Sequence, residues 1–442
     1  MFQCIGWCIR LFCSVESETC MQKVSLAPDE DTDILEAFAT TAETPYRQSR
    51  TWAYGLFWLT FFIFFVATAT GKLWDRVWHL VHRFDTFWSP PHLYVAIMTL
   101  LTGFLVAGIA FAPHMRKWYG PAVRMPLFPF KVPGALIILG GGLVALSITI
   151  MLDNFWHTAF GLDETQWSMP HDMLAWDWFI IITGFIAARL AFRRYYPLGW
   201  ITNVVIAILM LEFLCPPILG PFYLMYSPGL IHALANMPIV RGEPSAQHLY
   251  RIYLHFQLTR QTSTLFIPIV ALFAGAALAF LLNIDPRKRI LLLVPFLWSI
   301  TLMGRDLYTI LFLHYDGATK VTDMLRIALH EPSLWLPIPL FIAALAFEIL
   351  RHTRLNRLTV FALCGFVFSL CTFGIWHTNI WMILLAIPGA FTFVLGTKFG
   401  RLLFQLIEKP TLEHVMKFLL ITCAQIPAIL GIVDLVMRHT VP

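Results

Sequence analysis

Long apolar runs alternate with short polar connections along most of the chain. A helix needs about 20 apolar residues to cross about 30 Å of hydrocarbon. About eleven segments qualify: 52–70, 93–112, 133–152, 173–193, 198–216, 262–283, 290–311, 334–350, 357–376, 379–397 and 415–437. The ten-residue alternation that builds a membrane barrel does not occur. The pattern predicts an all-α, polytopic transmembrane helix bundle of about eleven spans.

Composition sharpens this. Of 442 residues, 58% are apolar and 13% charged, about half the charge of an ordinary soluble protein at roughly 25%. Mean hydropathy is +0.70. These values exclude a set of soluble domains and a disordered chain. The net charge of +5 is too thinly spread for a basic nucleic-acid face, so no nucleic-acid partner is expected. The bilayer is the expected surroundings.

The basic residues fall in alternate connections. Arg47 and Arg50 precede the first expected span, Arg116, Lys117, Arg124 and Lys131 lie between the second and third, and Arg193 and Arg194 follow the fourth. Arg287, Lys288 and Arg289 come before the seventh, Arg351, Arg354 and Arg357 before the ninth, and Lys398, Arg401 and Lys409 before the eleventh. Basic connections stay on the cytoplasmic side, so the N-terminus is expected there. Residues 1–50 are expected to form a cytoplasmic, disordered leader, with Met1 or Met21 as the start. Cys4, Cys8, Cys13 and Cys20 in it match no zinc spacing. Cys215, Cys364, Cys371 and Cys423 lie in or at spans and read as buried thiols. Residues 51–200 are expected to form a duplicated metal-binding membrane domain, and 201–442 a further membrane domain with long outer loops.

The duplication lies in two outer connections, Trp74 to His92 and Leu152 to His171. Asp75, Trp78, His79, Asp85, Trp88, Ser89, Pro91 and His92 in the first answer Asp153, Trp156, His157, Asp163, Trp167, Ser168, Pro170 and His171 in the second. The offset is 78 at the start and 79 at the end. Such a period marks a repeated helix–loop–helix unit. Thr102-Gly103-Phe104 and Thr183-Gly184-Phe185 extend the match. Asp at i and His at i+4 share a helix face, while His92 and His171 begin the next spans after a proline suited to the first turn. Two antiparallel helix ends would then present two histidines and one carboxylate, twice over. That donor set suits Cu(II), Fe(II) or Zn(II), and intrinsic affinity favours copper. The competing reading is an interfacial belt of His, Asp and Trp. Twelve histidines map to the outer side and His114, His352 and His414 to the inner.

At these residues the chain resembles the metal-binding, all-helical membrane subunit of the copper membrane monooxygenases, the particulate methane and ammonia monooxygenase family. That subunit carries the spacing D-x3-H-x12-H, matched by Asp75, His79 and His92. Its second set, with an amide first and spacings of three and thirteen, is matched by Asp153, His157 and His171 apart from the acid. The resemblance covers roughly residues 50–200. It implies two copper sites at the periplasmic side of a bacterial inner membrane, partner subunits, and a quinol or periplasmic electron donor. It also implies oxidation of a small apolar substrate or ammonia with dioxygen. The chain departs from the family by continuing through about six more spans.

A non-catalytic membrane protein that binds or moves a metal is the alternative, and it predicts polar groups continuing along the spans. Further candidates are Arg305, Asp306, His314, Asp316, Asp323 and His330 in one outer connection, and His232, His248 and His255 in another. Glu212 and Glu348 are acids within spans.

Overall fold

In the computed structural model, the residues described are 33–81, 88–126, 129–160, 169–214, 266–284, 292–300, 304, 337–376 and 380–420. They form α1 (Asp33–Val81), α2 (Pro90–Phe111), α3 (Pro113–Arg116), α4 (Gly134–Phe160), α5 (Met169–Phe192) and α6 (Trp200–Leu214). After these come α7 (Phe266–Ile284), α8 (Pro337–Leu350), α9 (Arg357–Trp376), a 3₁₀ turn Ile380–Leu385, and α10 (Ala386–Glu408). Among the described residues six helices are long and apolar enough to cross a bilayer: α1, α2, α4, α5, α7 and α10. The apolar stretches of α6, α8 and α9 are shorter. The expected spans 290–311 and 415–437 are helical over 292–300 and 412–420, and otherwise lie largely outside the described residues.

Two expectations need correction. Helix α1 begins at Asp33, so residues 33–50 are helical rather than disordered; Leu, Ala and Glu in LEAFATTAE favour the helix despite the local acidity. The run expected at 379–397 is a 3₁₀ turn followed by a helix to Glu408. Lys398 and Arg401 therefore sit on α10 rather than in a connection.

Burial separates central from peripheral helices. In the apolar windows of α5 and α7, 83% of residues are buried, against 28% in α2. Helix α2 instead exposes Ile97, Leu100, Leu101, Phe104 and Phe111, a face suited to lipid. One face of α7 (Phe273, Ala276, Phe280) packs into a core with α1, α4 and α5, and another (Ala271, Ala274, Ala277, Leu278) into a core with α6, α8 and α9.

The tightest seam is between α7 and α10, and small residues make it. A Cβ on Gly396 would meet the Leu272 carbonyl oxygen at 1.9 Å, one on Gly400 the Ala276 oxygen at 2.1 Å, and one on Gly275 the Phe393 oxygen at 2.1 Å. The backbones touch there. In lipid, where water no longer drives apolar surfaces together, such close approach is what makes helices associate.

Among the described residues, the basic connections around Arg50, Lys117 and Arg193 gather at one end of the bundle. Trp118 donates its indole N–H to Ser49 Oγ, Ser49 donates to the His114 carbonyl, and Tyr119 donates to the Ala53 carbonyl. The Arg50 guanidinium lies 4.9 Å from the Tyr195 ring, and Arg193 pairs with Glu408. A two-residue antiparallel hairpin, Ala122–Val123 against Val132–Pro133, folds the 117–133 connection back on itself. Gly120 supplies the positive φ (105°) that lets the chain enter it. Deepest in this end is Arg189, 2% exposed. It donates to the Tyr196 and Pro197 carbonyls, in the connection that follows α5, and lies over the Tyr54 ring.

Candidate metal site at the opposite helix ends

Helices α1 and α4 each run one to two turns past Asp75 and Asp153. Asp75 and His79 therefore occupy i and i+4 of one continuous helix, as do Asp153 and His157, and each pair shares a face. Helix α2 starts with Pro90 and Pro91 in its first positions, so His92 stands in its first turn. Helix α5 starts at Met169 and carries His171 in the same place. In both segments, then, two of the three positions lie on one helix and the third in the first turn of the next. The side chains of His79, His157 and His171 lie outside the described residues.

Asp75 and His92 come together. His92 Nε2 lies 2.7 Å from Asp75 Oδ1, with His92 14% and Asp75 25% exposed. The surrounding contacts hold the two helix ends: Trp74 packs on Tyr94 with ring centres 6.2 Å apart, and Tyr94 OH lies 3.0 Å from Thr70 Oγ1. A Cβ on Gly71 would strike Val95 at 2.3 Å, so a glycine there lets α2 approach α1 just inside the pair. Donors bound at about 2.1 Å to one ion at ordinary coordination angles stand about 3 Å from each other. The observed separation fits that donor set with a movement of a few tenths of an ångström. Among the described residues no group of three or more His, Cys, Asp or Glu side chains comes together.

In the second unit Asp153 is buried at 7% exposure. One turn before it on α4, Thr149 donates to Asp177 Oδ2 on α5 at 2.6 Å, with both side chains buried. Sequence reasoning missed Asp177, although a lone acid inside the apolar run 173–193 was the available signal. At the repeat offsets, Thr149 and Asp177 correspond to Gly71 and Met98, so the first unit has no such link. The glycines of the two Thr-Gly-Phe segments also differ: a Cβ on Gly184 would meet the Leu139 backbone at 2.7 Å, whereas Gly103 faces open space. Their offset is 81 rather than 79, which rotates the segment on its helix.

Of the other candidates, Glu348 pairs with Arg351 on the following turn, at 2.6 Å. Cys364 is buried and Cys371 half-buried, both as free thiols. The Glu212 side chain and the two outer connections with His232, His248, His255, Arg305, Asp306, His314, Asp316, Asp323 and His330 lie outside the described residues. Trp88 is 73% exposed and Trp178 9%, so the tryptophans around the repeats do not form one uniform belt. Comparison with known protein families, with curated proteins and with solved structures finds no match to this chain.

Proposed function

We propose that the chain is a membrane-embedded, metal-dependent monooxygenase or a subunit of one, with copper as the metal and iron or zinc as alternatives. Asp75, His79 and His92 hold one ion and Asp153, His157 and His171 a second. The observation that carries this reading is the Asp75–His92 contact of 2.7 Å, made between two helix ends, with His79 one turn along from Asp75. Support for the arrangement as a whole comes from the separation of the basic connections at one end from Asp75, His92 and Asp153 at the other. On that basis the bundle has about eleven spans built on a duplicated helix–loop–helix unit. It lies in a bacterial inner membrane with its N-terminus cytoplasmic and its metal motifs periplasmic.

Copper bound by two imidazoles and a carboxylate supplies dioxygen activation at its open coordination positions. The chain's own part is to hold and orient. The Asp75 carboxylate, 2.7 Å from His92 Nε2, would lower the net charge of an ion held between them. The Tyr94–Thr70 and Trp74–Tyr94 contacts keep the helix ends in register. Asp153, in place of the amide seen in the resembled family, favours a divalent ion. Electrons come from a quinol or periplasmic donor through partner subunits, and the substrate is a small apolar molecule or ammonia.

A membrane metal carrier is the second reading, favoured by one specific observation. The Thr149–Asp177 pair continues the polar seam inward from Asp153, where a translocation path would run. Oxygen uptake coupled to substrate oxidation, measured in quinol-fed membranes, separates the two. The monooxygenase reading expects turnover that falls by about tenfold to a hundredfold in Asp75→Asn. Metal binding with no oxygen-dependent turnover in any reconstituted complex would support the carrier instead.

A further inference from the structure

Among the side chains described, the charges at the basic end do not balance. Three acids there whose side chains are described are engaged: Glu348 by Arg351, Glu408 by Arg193, and Glu413 by Lys417. Three cations are left with no carboxylate in reach among the described residues: Arg357 at the start of α9, and Lys398 and Arg401 on α10. The first and last converge. The Arg357 and Arg401 guanidinium carbons lie 5.6 Å and 5.8 Å from the centre of the same ring, Phe361. Phe361 is fully buried, so the ring is a fixed platform that steadies two long side chains. Lys398 is exposed one turn before Arg401. Two guanidiniums anchored on one ring favour an anion within reach of both, and their planar forks suit phosphate oxygens.

The surroundings decide which phosphate. Leu355, Leu358, Leu395, Phe399 and Leu402 flank the three cations and are 38% to 60% exposed. A soluble anion leaves these side chains uncovered, whereas the acyl chains of a lipid cover them. We propose that Arg357, Arg401 and Lys398 form a binding site for the phosphate headgroup of an anionic phospholipid, at the junction of α9 and α10. The site is independent of any metal chemistry at the other end of the bundle.

The test uses the full chain in nanodiscs of phosphatidylcholine with a minor fraction of phosphatidylglycerol. Native mass spectrometry after release reads the lipids retained. Each basic group near an anionic lipid changes affinity by about fivefold. The wild type is expected to retain phosphatidylglycerol over phosphatidylcholine, and the double variant Arg357→Gln, Arg401→Gln to lose about 25-fold of that preference. Arg354→Gln, an exposed cation outside the site, is expected to change it by less than about twofold. Should the double variant not fold, Arg357→Gln alone, at an exposed position, is expected to lose about fivefold. No preference in the wild type, or an equal preference in the variants, overturns the proposal. So does protection against heating by inorganic phosphate, in phosphatidylcholine alone, that matches protection by phosphatidylglycerol.

Discussion

Replacing Gly396 by alanine tests whether the α7–α10 seam is a true backbone contact. The added Cβ would lie 1.9 Å from the Leu272 carbonyl oxygen, whereas carbon and carbonyl oxygen rest about 3.3 Å apart. About 1.4 Å must be found. The obstacle is backbone on a central helix, with Gly400 and Gly275 in the same condition nearby, so relief requires the helices to part along their length. Overpacking of this kind costs 1–3 kcal/mol where side chains can yield; here about 3 kcal/mol or more is expected. Gly103→Ala is the control, because nothing lies within 4 Å of its added Cβ. There alanine gains up to about 1 kcal/mol from its better helix propensity. The two substitutions are chemically identical and both lie in apolar helices, yet are expected to differ in sign and by about 4 kcal/mol. Equilibrium unfolding in mixed micelles measures both. Equal effects, or a gap below about 1 kcal/mol, would refute the close contact.

Arg189→Leu leaves the Tyr196 and Pro197 carbonyls without their donor and is expected to cost about 3 kcal/mol in the same unfolding assay, with Arg189→Lys recovering part of it. Thr149→Val removes the donor to Asp177 and is expected to cost 1–3 kcal/mol, whereas Thr149→Ser keeps the bond and costs less. Burial pushes the Tyr119 phenol well above its ordinary range, so the folded chain keeps a proton that the unfolded chain loses near pH 10. Stability therefore falls as pH rises past about 10, by about 1.4 kcal/mol per pH unit from this group. The difference between wild type and Tyr119→Phe, followed across that range, isolates the effect and should become independent of pH below about pH 9, leaving only the loss of the hydrogen bond to Ala53.

Helices were legible in the sequence because a bilayer admits little else, and hydropathy alone placed α1, α2, α4, α5, α7 and α10. Their ends were less legible. Hydropathy stops where charge begins, but the helix does not: α10 continues through Lys398 and Arg401 to Glu408. At α1 the polar stretch before Arg47 is helical by propensity, which an apolarity criterion does not see. The i and i+4 placement of Asp75 with His79 was readable since it needs only helix continuity, and the approach of His92 followed from two antiparallel helices joined by a short connection. Arg189 and Asp177 were not read as structural because their partners, two backbone carbonyls and a threonine on another helix, carry no sequence signal. Gly396-x3-Gly400 did carry one, a small-residue spacing of four within an apolar helix, and it marks the tightest seam in the fold.

The central claim concerns the two metal sets, and metal stoichiometry of the purified chain tests it most directly. Copper, iron and zinc are measured by elemental analysis on the wild type, on His79→Ala, on His157→Ala, and on the double variant. The account predicts two equivalents in the wild type, one in each single variant and none in the double variant. A wild type without metal, or a double variant that keeps the wild-type content, would contradict it.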